Sequence, residues 1–104
     1  MIAASLNGNC VTAFHNAMQS VYGQLSWLPE ADATLHRFHV PGDRTGSRNG
    51  WYVLYLDGIA SGAFGSWKAG GASIWCSREP VDAQEAEQVR QRIEQARRQR
   101  QAEQ

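Results

Sequence analysis

The stretch WYVLYLDGIASGAFG, residues 51–65, decides the fold of this chain. Its first six residues are all aromatic or aliphatic, which is typical of a strand buried on both faces. Asp57-Gly58 is a strong hairpin signal and predicts that residues 59–65 return antiparallel to residues 51–56. Gly62 and Gly65 indicate either a β-bulge or the close approach of another backbone.

Weaker strand patterns on both sides extend this hairpin. Residues 35–40, LHRFHV, alternate so that His36, Phe38 and Val40 share one face. Residues 72–76, ASIWC, follow a glycine-containing turn at 68–71 and predict a short last strand. Together these segments predict a small antiparallel meander of three to four strands.

A helix is expected before the meander. Between Thr12 and Tyr22 the apolar residues recur with helical spacing, with Thr12 as a candidate N-cap and Gly23 as a candidate stop. Residues 1–10 are small and polar enough to be disordered. The predicted fold class is therefore α+β, with an N-terminal helix and a long C-terminal helix.

The C-terminal helix is predicted over residues 82–102. Asp82 followed by Glu85 resembles a capping box. The apolar stripe is thin and consists of Ala86, Val89, Ile93 and Ala96. We expect its first turns to pack on the sheet and the tail RRQRQAEQ to be solvated. The outer face of this helix is expected either to form solvated ion pairs or to bind a partner, which includes homodimerisation through residues 86–100.

Length and composition bound the remaining possibilities. A chain of 104 residues with 42% hydrophobic residues suffices for one core. We therefore divide it into an α+β domain at residues 1–81 and a charged helix at residues 82–104, partly packed and partly solvated. Ten basic residues balance ten acidic ones, so net charge gives no hint of a nucleic-acid partner.

The N-terminus and the cysteines bear on location. MIAASLNGNC has no signal-peptide pattern, and no apolar run is long enough to cross a bilayer, so we expect a cytoplasmic protein without membrane contact. Cys10 and Cys76 have no framework spacing. A disulfide between them stays open, but reduced thiols are favoured in this setting.

The centre of the chain resembles a known family. Residues 36–75, HRFHVPGDRTGSRNGWYVLYLDGIASGAFGSWKAG through Trp75, resemble an N-terminal accessory module of TOPRIM-type DNA primases from plasmids, integrative elements and phages. The glycine and aromatic positions agree in spacing throughout. The resemblance implies association with DNA replication. The chain has no Asp-x-Asp pair for magnesium, however, so primer synthesis is not implied.

The loop GDRTGSRNG, residues 42–50, is the first candidate site. Its three glycines can turn backbone N–H groups toward an anion, and Arg44 and Arg48 can each grip a phosphate. A plain hairpin connection with solvated arginines explains the same residues. The spacing is not that of a Walker A loop, and no lysine follows.

The aromatic residues are the second candidate. Aromatic side chains beside Arg and Lys on a sheet suit the stacking of single-stranded bases, although small domains also bury tryptophan as core. We expect Trp67, beside Lys68, to stay exposed. The predicted residues for binding single-stranded DNA are Arg37, Arg44, Arg48, Tyr52, Trp67 and Lys68.

Other chemistry is not favoured. His36, His39 and Cys76 lack zinc-site spacing, and His36 and His39 point to opposite faces of a strand, so no metal is expected. No carboxylate pair or nucleophile elbow is present, so we expect neither catalysis nor a cofactor. The alternative function is a small mobile-element protein that binds a replication or host-defence protein, for example as an anti-CRISPR or anti-restriction inhibitor.

Overall fold

The computed structural model describes residues 2–68 and 70–103 and, within them, the side chains of residues 10–68 and 70–102. The elements follow in the order α1 Ile2–Tyr22, β1 His36–Phe38, β2 Gly50–Tyr55, β3 Ser61–Ser66, β4 Ser73–Cys76 and α2 Ala83–Glu103. This order confirms the α+β class. No helix in the described part is long and apolar enough to span a membrane.

The four strands form one antiparallel sheet in the order β1-β2-β3-β4. The predicted hairpin is confirmed, although residues 56–60 rather than two residues connect β2 to β3, with Gly58 at φ +62°. The register of β2 and β3 runs without a bulge from Gly50 opposite Ser66 to Tyr55 opposite Ser61.

Close approach of other atoms, not a bulge, explains the two glycines of β3. A methyl group on Gly62 would lie 2.6 Å from the Val53 carbonyl oxygen and 2.8 Å from a ring carbon of Phe14. A methyl group on Gly65 would lie 2.7 Å from the Gly71 carbonyl oxygen. Only glycine leaves room at these two positions.

The sheet is covered on both faces, which is why every residue of β2 and β3 is buried. Alternation along the strands divides the core into two clusters. Toward α1 lie Phe14, Met18, Leu25, Phe38, Tyr52, Leu54 and Phe64. Toward α2 lie Trp51, Val53, Tyr55, Ala63 and Ala96.

Helix α1 begins ten residues before the predicted N-cap. Thr12 lies inside the helix and is exposed, so its assignment as N-cap was wrong. The reason is that Cys10 is buried and precedes Phe14 and Met18 at four-residue spacing, which continues the packed face upstream. The predicted stop is confirmed, because the Gly23 N–H donates to the Gln19 carbonyl at 2.9 Å and Gly23 has φ +87°.

Helix α2 begins as predicted. The Asp82 carboxylate accepts the Glu85 N–H at 2.8 Å, and the Glu85 carboxylate accepts the Val81 N–H at 3.1 Å. Cys10 and Cys76 are both free thiols.

The packed face of α2 differs from the predicted stripe. Ala86 is exposed and Ile93 is 38% exposed, whereas Val89, Arg92 and Ala96 are buried. The helix is rotated because the Arg92 guanidinium donates to the carbonyls of Asp57 and Ile59 in the β2–β3 loop.

The packed part of α2 also reaches further than expected. In the segment RRQRQAEQ, predicted to be solvated, the Gln99 side chain accepts the Leu35 N–H at 2.7 Å and donates to the Ala33 carbonyl at 3.2 Å. Arg100 is half-buried. The Gln99 side-chain amide therefore attaches this segment to backbone groups that precede β1. The spacing of apolar residues in the sequence cannot reveal such a polar attachment.

Candidate nucleic-acid interface

Ion pairs are distributed unevenly over this neutral chain. Four arginines pair with glutamates: Arg78 with Glu85, Arg90 with Glu87, and Arg97 and Arg98 with Glu94. Among the described side chains, no carboxylate forms an ion pair with Arg37, Arg44, Arg48 or Arg100. The surface around β1 is therefore locally basic although the whole chain has no net charge.

Arg37 and Trp67 form the centre of this surface. Arg37 on β1 lies opposite Trp51 on β2, and its guanidinium carbon lies 4.5 Å from the centre of the Trp67 ring. The backbone N–H of Trp67 donates to the Asn49 carbonyl at 2.8 Å, which fixes Trp67 next to the glycine-rich loop. Trp67 is half-buried rather than fully exposed, and Arg37 covers part of its ring.

The side chains of Arg37 and Arg48 each donate a hydrogen bond to the backbone carbonyl of the other residue. The Arg37 Nε donates to the Arg48 carbonyl at 3.1 Å, and the Arg48 Nη2 donates to the Arg37 carbonyl at 3.4 Å. Both side chains are exposed. The edge of the sheet thus carries two guanidinium groups, each anchored by a hydrogen bond to a backbone carbonyl and with donors left over for an anion.

The glycine-rich loop is built from tight turns. Gly42 and Gly46 have φ +92° and +86°, and the Ser47 N–H and hydroxyl both donate to the Arg44 carbonyl, at 3.0 and 2.7 Å. Lys68 lies 3.6 Å from the Asp43 carboxylate, so its charge is partly offset. The Arg44 side chain is exposed and has no hydrogen bond or ion pair within the described residues.

Tyr52 does not belong to an exposed binding surface. It is 4% exposed, and its ring is stacked between Trp27, at 5.6 Å and 22°, and His36, at 5.1 Å and 21°. Its hydroxyl accepts the Glu30 N–H at 2.9 Å, and burial raises its pKa. Because both faces are taken, the ring offers no platform for a base; the predicted stacking role fails for this residue.

Two arginines of this region escaped the sequence prediction: Arg92 and Arg100. The Arg100 guanidinium lies 5.8 Å from the centre of the Trp51 ring, and that of Arg92 lies 5.2 Å from the ring of Tyr55. Arg92 and Arg100 flank Ala96 at four-residue spacing. That spacing, read together with an aromatic strand, was the available signal for a helix face that carries arginine over aromatic rings.

A second feature lies beside β1. An open groove of about 440 Å³ is lined by Trp27, Leu28 and Phe38 together with the polar residues His36, Arg37, His39 and Arg48. Leu28 is 62% exposed there.

One group of side chains near this groove could hold a metal ion. Glu30, Asp32 and His36 place one ligand atom each within 4.8 Å of one another, and the His36 Nε2 lies 2.9 Å from the Asp32 carboxylate. Desolvation raises the pKa of Asp32, but hydrogen bonds from His36 and the Thr34 backbone outweigh it and leave that pKa below its ordinary value. His39 is directed elsewhere, to the Ser47 carbonyl.

The chain was compared with known protein families, curated proteins and solved structures, and none of them matches it. The relation to primase modules therefore stays a prediction from residues 36–75.

Proposed function

We propose that this protein is a non-catalytic nucleic-acid-binding module, related to primase accessory modules, that holds single-stranded DNA at the edge of β1. The observation that supports this most is the Arg37 guanidinium over the Trp67 ring, with the Arg48 side chain bonded to the Arg37 carbonyl and no carboxylate in the described part paired to either arginine. Guanidinium groups grip phosphates, and an indole next to them can contact a base.

The proposed interface contacts the phosphates and one base of the strand with different side chains. Arg37, Arg48 and Arg44 contact consecutive phosphates along the edge of the sheet and the glycine-rich loop. Trp67 contacts one base with the part of its ring that Arg37 leaves open. Since most of the affinity comes from phosphates, we expect little sequence preference and dissociation constants in the micromolar range.

Salt dependence is the first test. If three phosphates are neutralised on a single strand, affinity should fall about 20-fold between 50 and 200 mM salt. Fluorescence polarisation of a labelled single-stranded 20-mer measures this directly. Absence of binding at low salt, or an affinity that does not change with salt, would overturn the proposal.

A matched pair of double variants tests the location. Arg44→Ala/Arg48→Ala removes two charges from the proposed site, and Arg90→Ala/Arg98→Ala removes two charges from exposed positions of α2. We expect the first variant to bind at least 10-fold more weakly and the second to change less than 2-fold. Equal losses in both variants would mean that binding follows net charge alone.

A protein-binding module is the second candidate, because one sheet edge carries exposed apolar side chains. Ile74 on the edge strand β4 is 46% exposed, and Ile93 on α2 is 38% exposed beside it. We would compare recovery of a stoichiometric replication or host-defence protein by the native chain and by Ile74→Asp. Recovery that is lost in Ile74→Asp would favour this candidate, and equal recovery by both would count against it.

A further inference from the structure

Buried hydrogen-bond donors without an acceptor are concentrated in one place. Among the described residues, three buried side-chain polar atoms have no hydrogen-bond partner: Trp51 Nε1, Trp67 Nε1 and Arg100 Nε. We call Trp51, Trp67, Arg37 and Arg100 the Trp–Arg cluster. Buried polar groups in folded proteins are nearly always paired, so three orphaned donors in one cluster require an explanation.

The four side chains adjoin one another between the sheet and α2. The ring centres of Trp51 and Trp67 are 6.4 Å apart, the Arg37 guanidinium lies over Trp67, and the Arg100 guanidinium lies over Trp51. Trp51 is only 1% exposed, whereas Arg37 is exposed. The cluster is therefore closed by protein on the Trp51 side and reaches solvent at Arg37.

The chemistry of the cluster specifies its ligand. All three orphaned atoms are donors, and indole and guanidinium groups cannot accept a hydrogen bond. No described carboxylate pairs with either arginine. A group that accepts several hydrogen bonds and carries negative charge would satisfy the indoles and both arginines together, which a water molecule cannot do.

We propose that the Trp–Arg cluster binds the terminal phosphate of a nucleic-acid strand. This rests on the proposed function and deepens it. An internal phosphodiester is flanked by two sugars and has only two non-bridging oxygens. A terminal phosphate monoester projects from the strand, carries the greater charge and has three free oxygens.

Entry of a phosphate requires the arginines that cover the two rings to move. Arg37 is exposed, and Arg100 lies in the last turn of α2, so both can turn from a ring face toward an oxyanion. The Trp51 and Trp67 N–H groups then gain acceptors, while Arg48 and Arg44 hold the adjoining phosphates. The strand would therefore start at the cluster and run outward along β1.

The first experiment measures end preference. Three single-stranded 20-mers with an internal fluorophore carry a 5′ phosphate, a 3′ phosphate or hydroxyls at both ends. We expect one phosphorylated strand to bind at least 10-fold more tightly than the hydroxyl-ended strand, and the two phosphate arms reveal which end is held. Equal binding of all three would overturn this inference and leave the proposed function standing.

Two variants test whether the Trp–Arg cluster causes the preference for a phosphorylated strand end. Arg100→Gln removes one charge, and Trp51→Phe keeps an aromatic ring but removes its N–H donor. We expect both to reduce the end preference below about 2-fold, with binding of the hydroxyl-ended strand retained. Arg98→Gln, an exposed arginine of the same helix, is the matched control and should keep the preference. A preference that survives in Arg100→Gln would overturn the assignment.

A second readout does not depend on DNA binding. The four tryptophans give four indole N–H signals in a ¹⁵N-correlated spectrum. Titration with inorganic phosphate should shift the signals of Trp51 and Trp67, while those of Trp27 and Trp75 serve as internal references. Shifts without any ssDNA binding would support the phosphate site and reject the proposed function. If none of the four signals shifts selectively, the cluster is packed core only.

Discussion

The two faces of the sheet are built from the same strands but by different means. Toward α1, the core is a continuous set of aromatic rings whose centres lie 5.2–6.3 Å apart, including Phe14, Phe38, Tyr52 and Phe64. Toward α2, the helix contributes only Val89 and Ala96 as buried apolar side chains. That face is held by polar side chains that reach the backbone.

The polar attachment of α2 is specific. The Gln88 side chain accepts the Ile59 N–H at 3.3 Å, Arg92 donates to the carbonyls of Asp57 and Ile59, and Gln99 bonds to Leu35 and Ala33. On the α1 face, helix and sheet are therefore held together by apolar packing. The other face retains arginine and indole donors that can serve a ligand.

Truncation of Phe14 should produce the largest effect. Phe14 is 0% exposed and contacts Tyr52, Phe64 and Trp75 edge-on. Phe14→Ala is expected to lower the free energy of unfolding by about 3–5 kcal/mol. On the α2 face, Val89→Ala should lower it by only about 1.5 kcal/mol, since about two methylene equivalents are lost. Urea denaturation of both variants measures the difference, and equal losses would contradict the comparison.

Arg92 tests whether polar contacts hold the α2 face. Arg92→Met keeps most of the buried volume but leaves the Asp57 and Ile59 carbonyls and the Ser61 hydroxyl without this donor. We expect a loss of about 2 kcal/mol in the free energy of unfolding. Arg92→Lys, which keeps the charge but not the forked geometry, should lose less. An unchanged stability of Arg92→Met would show that α2 is held by its apolar residues after all.

The pH dependence at the start of α2 should be the smallest effect. Hydrogen bonds from Arg78 and from the Val81 backbone lower the pKa of Glu85 from its ordinary 4.5 to about 2. Because the folded-state pKa is depressed, this stabilisation is fully present above pH 4.5 and is lost as the pH falls toward 2.

The corresponding measurement is urea denaturation of the native chain and of Glu85→Gln from pH 7 to pH 2. The stability difference between the two should be constant above pH 4.5 and should shrink to nothing near pH 2. Since Glu85 and Arg78 are on the surface, we expect the difference to be modest and to decrease with salt. A difference that persists at pH 2 would have another origin.

The sequence predicted the elements well because local chemistry determined them. Aromatic and β-branched residues at 51–56 have few alternatives to a buried strand, and Asp82 with Glu85 marks a helix start by its own hydrogen bonds. The predicted grouping of Arg37, Arg48 and Trp67 as one binding site stays a prediction, although Arg37 does lie over the Trp67 ring.

Orientation was harder to predict, because it depends on tertiary contacts. A strand that is apolar at every position does not reveal which rings face which helix, so the burial of Tyr52 could not be distinguished from exposure. Similarly, an arginine stripe on α2 looks solvated until the carbonyls of a distant hairpin supply its partners. Both errors arose because side chains with polar groups were assumed to lie at the surface.

The glycine opposite Trp51 has a consequence for the history of this chain. Gly65 and Trp51 are register partners, and a methyl group on Gly65 would lie 3.0 Å from the indole ring as well as against the Gly71 carbonyl. Any residue larger than glycine at 65 is therefore excluded by the Gly71 carbonyl, whatever side chain stands at 51. In diverged descendants this glycine should outlast overall sequence similarity and serve as a fingerprint of common ancestry.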